Sequence, residues 1–162
     1  MRHLLALVLL AFVTSGSAGE PHEAINRAIE LFEAASPQLP ARLHGVDREQ
    51  YRAALTLGQG VALVTDSDPA DRCSRFAAYT LLPAQNGVVR MVFCPRFFSD
   101  GTDALRALTV LHEMVHVVAG HDECRAMAFA AAIEQGAVAR FTPVDAYWQA
   151  NTCGNSGFSL PR

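Results

Sequence analysis

The residues of this chain best suited to chemistry stand together at His112-Glu113-Met114-Val115-His116. Two imidazoles four positions apart on a helix share one face, about one turn from each other, so both can reach a single tetrahedral zinc ion. Glu113 lies beside that face, where its carboxylate can accept a proton from a metal-activated water. Chance supplies such a five-residue pattern on the order of 0.01 times in a chain of this composition, which favours a site over two ordinary buried histidines. The chemistry expected is zinc-dependent hydrolysis of a peptide bond, with one Zn2+ as cofactor and Glu113 as general base.

A catalytic zinc takes a third protein ligand and leaves one position for water. The metzincin spacing, with Gly seven and the ligand ten residues after the first His, is broken here by Ala119 and Asp122. Gly120 is instead followed by three candidates in a row, His121, Asp122 and Glu123. Asp122 has a competing role as the N-cap of the next helix, and His121 a competing role in the turn. Glu123 can point back toward His116 from the first turn of that helix and leads the three, with Asp122 and His121 kept as alternatives. Glu134 reads as a solvated helix residue.

These side chains need elements to hold them. Leu105, Leu108, Leu111, Val115 and Val118 recur at three- and four-residue steps, so a helix runs from about Asp103 to Gly120, capped by Thr102 or Asp103. Similar patterns predict helices over 20–35, 48–57, 122–135 and 143–150, the first ended by Pro37 and Pro40. Val61 to Thr65 reads as a short strand closed by the turn residues Asp66 to Pro69. Phe76 to Leu82 and Val88 to Phe93 form a hairpin across Pro83 to Gly87, where Asn86-Gly87 tolerates positive φ. Residues 152–162 give no structural signal.

Arg2 and His3, an apolar run from Leu4 to Val13 and a small polar stretch to Ala18 have the three-part pattern of a secretory signal peptide over 1–19. The run is about half of the roughly 20 residues a membrane span needs, so the mature chain is expected to be free of the membrane and secreted, extracellular or periplasmic. In an oxidising compartment Cys73, Cys94, Cys124 and Cys153 are expected to form two disulfides, with three pairings open. A net charge of −3 and the lack of a basic, aromatic-rich stretch exclude a nucleic-acid surface, although all thirteen basic residues are arginine. No oligomerisation signal is visible, and a monomer acting on a peptide or protein substrate is expected. The 162 residues suit one domain, 20–162, with an N-terminal helical part to about 60, a catalytic core over 61–153 and a flexible tail over 154–162.

The runs Cys73-Ser74-Arg75-Phe76-Ala77-Ala78-Tyr79-Thr80, Val92-Phe93-Cys94-Pro95-Arg96-Phe97-Phe98, Leu111 to His116 and Pro143-Val144-Asp145-Ala146-Tyr147-Trp148 resemble, in that order, the deuterolysin and peptidyl-Lys metalloendopeptidase group, the aspzincins. The resemblance covers about Cys73 to Cys153, half of the chain. It implies a Cys73–Cys94 disulfide, zinc ligation by His112 and His116, and Glu113 as base. It also sets Glu123 at the family's third-ligand Asp, and Asp145 near the substrate pocket. The family motif's Tyr falls at Ala126 and its last Gly at Met127, so oxyanion stabilisation passes to Tyr147 or His121. Trp148 stands where a lysine-selecting member carries an acid, which argues against lysine specificity. The segment from Glu123 to Ala130 also looks like the second helix of gluzincins.

The expected fold is thus α+β: a small single-domain zincin-like fold, with a short antiparallel sheet or hairpin packed on the HExxH helix and further helices, stapled by two disulfides. Two other readings compete. One is a secreted, non-catalytic pseudopeptidase or binding protein that retains the zinc site, for which Ala126 speaks. The other is a disulfide-stapled structural domain without metal.

Overall fold

The computed structural model of the protein describes residues 19–58, 64–65, 72–85 and 88–162. The expected leader, apart from Gly19, lies outside the described residues, as do the turns expected at Asp66 to Pro69 and at Asn86-Gly87.

The first helix, α1 (Gly19–Ala35), buries Ala24, Ile25, Ala28, Leu31, Phe32 and Ala35, the three- and four-residue stripe that makes a helix amphipathic. It ends in a 3-10 turn at Ser36–Gln38 that contains Pro37. A small antiparallel ribbon of β1 (Arg42–Leu43) and β2 (Val46–Asp47) turns at His44-Gly45, both at positive φ. Asp47 Oδ1 then accepts from the backbone N–H groups of Glu49 and Gln50, both at 3.0 Å, and so caps α2 (Arg48–Gly58).

A second sheet has the order β3 (Val64–Thr65), β5 (Val88–Phe93), β4 (Ala78–Gln85), with β3 parallel and β4 antiparallel to β5. The hairpin is the one expected, but β4 runs through Pro83, which the sequence placed in the turn. A register shift between Leu81 and Gln85 takes up the irregularity, and β4 is an edge strand, where a missing N–H breaks no ladder. Helix α3 (Pro95–Ser99) was not foreseen, since five residues are too few for a period to show.

Helix α4 (Asp103–Ala119) follows, with the Thr102 hydroxyl accepting from Leu105 N at 3.2 Å. It packs against α1, α2 and β4, and against α5 (Glu123–Val138). Helix α6 (Asp145–Ala150) begins two residues later than the sequence predicted. Small residues let α5 pack closely: Ala126, Ala128, Ala130 and Ala131 are fully buried, and where α5 meets α1 a Cβ added at Gly136 would sit 3.2 Å from the Ala35 Cβ. Glu134, read as solvated, is in fact buried, because its carboxylate accepts from Thr142 N at 2.6 Å and Thr142 Oγ1 at 2.9 Å and holds the α5–α6 connection. The tail is not free either. Arg125 stacks on Phe158 at 5.5 Å, and Leu160 packs on the core.

The two disulfides are Cys73–Cys94 and Cys124–Cys153, and within the chain-entropy account loops of this size are worth about 3 kcal/mol each. The architecture is α+β in one small domain. Inside it, Tyr51 is wholly buried, with its ring 5.1 Å from Phe32 and 4.7 Å from Phe129 and its hydroxyl donating to Leu111 O at 2.7 Å, one residue before His112. Tyr51→Phe keeps the ring and removes one hydrogen bond, so a loss of about 1 kcal/mol and a fall in Tm of roughly 2–4 °C are expected in calorimetry. An unchanged Tm would mean that the hydroxyl does not brace α4.

Candidate metal centre

Helix α4 presents His112 and His116 on one face, and both are buried, at 5% and 6% exposure. Their Nε2 atoms lie 3.1 Å apart. The chain then turns at Gly120, whose φ of 79° and ψ of −173° fall in a region open essentially only to glycine. Two interactions secure the turn. The His116 Nδ1–H donates to Gly120 O at 2.9 Å, and Arg125 Nη1 donates to Ala119 O at 2.8 Å, joining the end of α4 to the start of α5. The first bond fixes the tautomer that turns the His116 Nε2 lone pair inward. His112 Nδ1 has no hydrogen-bond partner among the described residues. Edge-on contact with the Tyr147 ring, at 5.5 Å, orients this imidazole instead.

The turn brings Glu123 to the histidines, with its Oε2 2.9 Å from His112 Nε2 and 3.5 Å from His116 Nε2. Three donor atoms thus form a triangle with sides of 2.9, 3.1 and 3.5 Å. Ligands about 2.0–2.1 Å from a tetrahedral ion are separated by roughly 3.3 Å, so this triangle has about the size of the face that three ligands offer to a tetrahedral metal ion. The electrostatics agree. Burial would lower the His116 pKa, yet hydrogen bonds to Glu123 and Gly120 outweigh it and the net shift is upward. Burial would raise Glu123, yet its bonds with His112, His116 and Tyr147 hold it far below the usual carboxylate range. Both shifts show that the triangle holds positive charge; at His116 that charge is a proton, which a metal ion would displace.

Glu113 stands beside these groups, and ligand atoms of His112, Glu113 and His116 all lie within 4.8 Å of one another, a set able to hold a metal ion. Glu123 closes a tighter triangle with the two imidazoles than that limit. Glu113 is 7% exposed and accepts from Thr80 Oγ1 at 3.0 Å. Burial pushes its pKa up, against the pull of His112, His116 and the Thr80 hydroxyl, which suits a group that must take up a proton.

The neighbouring candidates separate by geometry. Asp122 accepts from Arg125 N at 2.9 Å as the N-cap of α5 and is turned away from the triangle. His121 is exposed at the rim of the cleft, with its ring 5.9 Å from that of His116. Tyr147 donates to Glu123 Oε2, and its hydroxyl lies 3.3 Å from His112 Nε2. Burial and the Glu123 carboxylate raise its pKa, so it remains a phenol. Asp145 is exposed and does not line the cleft, since a step of two positions along α6 sets it about 200° around the helix from Tyr147. The Cys124–Cys153 bond anchors the chain after α6 to the turn of α5 that carries Glu123.

Thr80 is the site residue that sequence reasoning did not single out. Its signal was a polar residue at an inward position of β4: Ala78 and Thr80 are buried while Tyr79 and Leu81 are partly exposed. The cleft over the site, about 650 Å³, is bounded by β4, α4 and the approach to α6. Among the described residues no helix is long and apolar enough to cross a membrane, and the two disulfides fit an oxidising compartment.

Comparison of the chain with family models, with curated proteins and with solved structures finds no match.

Proposed function

We propose that this protein is an exported zinc metallopeptidase of aspzincin-like type, with Glu123 as the third ligand where that family carries an Asp. The triangle of His112, His116 and Glu123, with Glu113 held alongside it by Thr80, carries the reading. A zinc ion held there supplies Lewis acidity, which polarises a carbonyl and makes water acidic near pH 7.

The rest of the mechanism belongs to the chain. Glu113, buried and raised in pKa, takes the proton from the attacking water and passes it to the leaving amine. Tyr147 stands beside the triangle, and its single O–H, which donates to Glu123, would turn from that carboxylate to an oxyanion as charge develops; in that way its phenol takes the part of the motif Tyr, whose place Ala126 fills. The outer edge of β4 has no strand partner among the described residues, and an extended peptide can pair with it in the cleft.

The test is peptide hydrolysis with and without a chelator. One zinc per chain, at least a tenfold loss of cleavage on chelation and recovery on adding zinc are expected. Cleavage indifferent to chelation would sink the reading. Zinc without turnover would favour the non-catalytic binding protein, and neither zinc nor turnover a purely structural domain.

A further inference from the structure

We propose that the cleft selects peptides by a carboxylate, gripped by Arg72 and Arg75. The proposal rests on the metallopeptidase reading and names the substrate class for the same site.

Four arginines line the cleft, and two of them are committed elsewhere. Arg96 pairs with Asp100 at 3.2 Å, and Arg106 pairs with Asp103 at 3.0 Å while donating to the carbonyls of Phe97 and Phe98. Among the described residues, the carboxylates that line the cleft are also in use: Asp100 on Arg96, Glu113 on Thr80 and Glu123 at the imidazoles. Arg72 and Arg75 have no carboxylate partner among the described residues. Their guanidinium groups lie instead over aromatic rings, Arg72 at 5.2 Å from the Tyr79 centroid and Arg75 at 5.6 Å from that of Phe76.

Stacking engages only the flat face of a guanidinium and leaves its in-plane N–H donors aimed outward, the fork that grips a carboxylate in two places. Exposed arginines are commonly no more than solvated surface. Three features set this pair apart. The two flank Cys73, whose bond to Cys94 ties their short turn to the end of β5, so the backbone beneath them is covalently fixed. Tyr79, which carries Arg72, points to the opposite face of β4 from Thr80, so its ring holds that guanidinium at the rim of the cleft, across the edge strand from Glu113. Finally, Phe76 and Leu105, two of the three large apolar side chains exposed among the described residues, line the same cleft. An apolar floor under a cationic rim matches a short aliphatic stem that ends in a carboxylate. That carboxylate is either a Glu or Asp side chain or the free end of the substrate.

The experiment uses the zinc-loaded full-length protein and matched quenched-fluorescence peptides. In one set both ends are blocked and Glu, Gln or Lys is scanned through the positions flanking the cleaved bond. In the other, a neutral peptide carries a free or an amidated C-terminus. A preference in kcat/KM for the carboxylate of about 10- to 100-fold is expected at one position, expressed mainly in KM and reduced by salt. Preference for Glu in blocked peptides assigns the side chain; preference for the free terminus assigns the chain end. In the Arg72→Gln, Arg75→Gln double variant the ratio of acidic to neutral turnover should fall toward one, with circular dichroism checking that the fold is kept. Cleavage that ignores all these changes overturns carboxylate selection and leaves the peptidase reading standing. If nothing is cleaved, that reading fails, and the cleft is judged by labelled-peptide binding to the Glu113→Gln protein: tighter binding of the acidic peptide, lost on changing the two arginines, supports selection, and equal binding overturns it.

Discussion

Glu113→Gln should lower kcat for peptide hydrolysis about 10³-fold while the protein still binds one zinc per chain, since a positioned base contributes roughly 10²–10⁴-fold. The amide keeps the size of the carboxylate and still reaches the Thr80 hydroxyl, 3.0 Å away, but it cannot take up a proton. Stability should separate the two roles of this residue. A carboxyl group whose pKa is raised on folding is costly to the folded state above that pKa, where it is charged, and the cost disappears as pH falls and the proton returns. A neutral amide carries no such cost at pH 7, so the Tm of the variant should be no lower than that of the parent. Single-turnover kinetics with metal analysis and calorimetry measure both halves. A variant within tenfold of parental kcat would place the base on another residue, and a large loss of Tm would mean that Glu113 is structural.

How much of this was legible in the sequence follows from how local each feature is. The spacing of His112, Glu113 and His116 is a property of one helix, and the apolar positions that make α4 a helix also fix which face the imidazoles share. Choosing among His121, Asp122 and Glu123 is a different problem. The three are adjacent, and the Gly120 backbone together with the capping bond from Asp122 to Arg125 N decides which one faces inward. A glycine in the sequence announces freedom of φ but not the value adopted. Thr80 lies still further from reach, because it meets Glu113 across 33 residues, and Tyr147, which meets His112 across 35, was named only through the resemblance to aspzincins and beside His121. Residues alone left three disulfide pairings open, and the resemblance to aspzincins implied the Cys73–Cys94 bond that the structure contains. Once that bond is set, Cys124 and Cys153 have only each other. Asp145 went astray because a motif match carries identity along the chain but not the rotation of a short helix, and α6 directs Tyr147, not Asp145, at the site. Pro83 and Glu134 were misjudged for a related reason: a proline on an edge strand and a buried acid held by Thr142 are decided by tertiary partners.

Glu123→Ala should weaken zinc binding by at least about 100-fold, more than the 10- to 100-fold typical of losing a group that merely orients a ligand. The argument is one of charge as well as count. Two neutral imidazoles leave the full double charge of the ion on the site, whereas Glu123 brings a carboxylate held ionised by His112, His116 and Tyr147. Removing it takes away one corner of the triangle and leaves the Tyr147 hydroxyl without its acceptor. Tyr147→Phe is the control, since it deletes the hydroxyl and leaves all three donor atoms in place. Its zinc affinity should therefore change by less than about tenfold, while kcat falls if the phenol stabilises the oxyanion. Competition titration against a chromophoric chelator reads the affinities directly. If Glu123→Ala kept the parental affinity, the ion would have to be held through the set that includes Glu113. A carboxylate spent as a ligand could not also serve as the free base, so the metal geometry and the catalytic assignment would fall together.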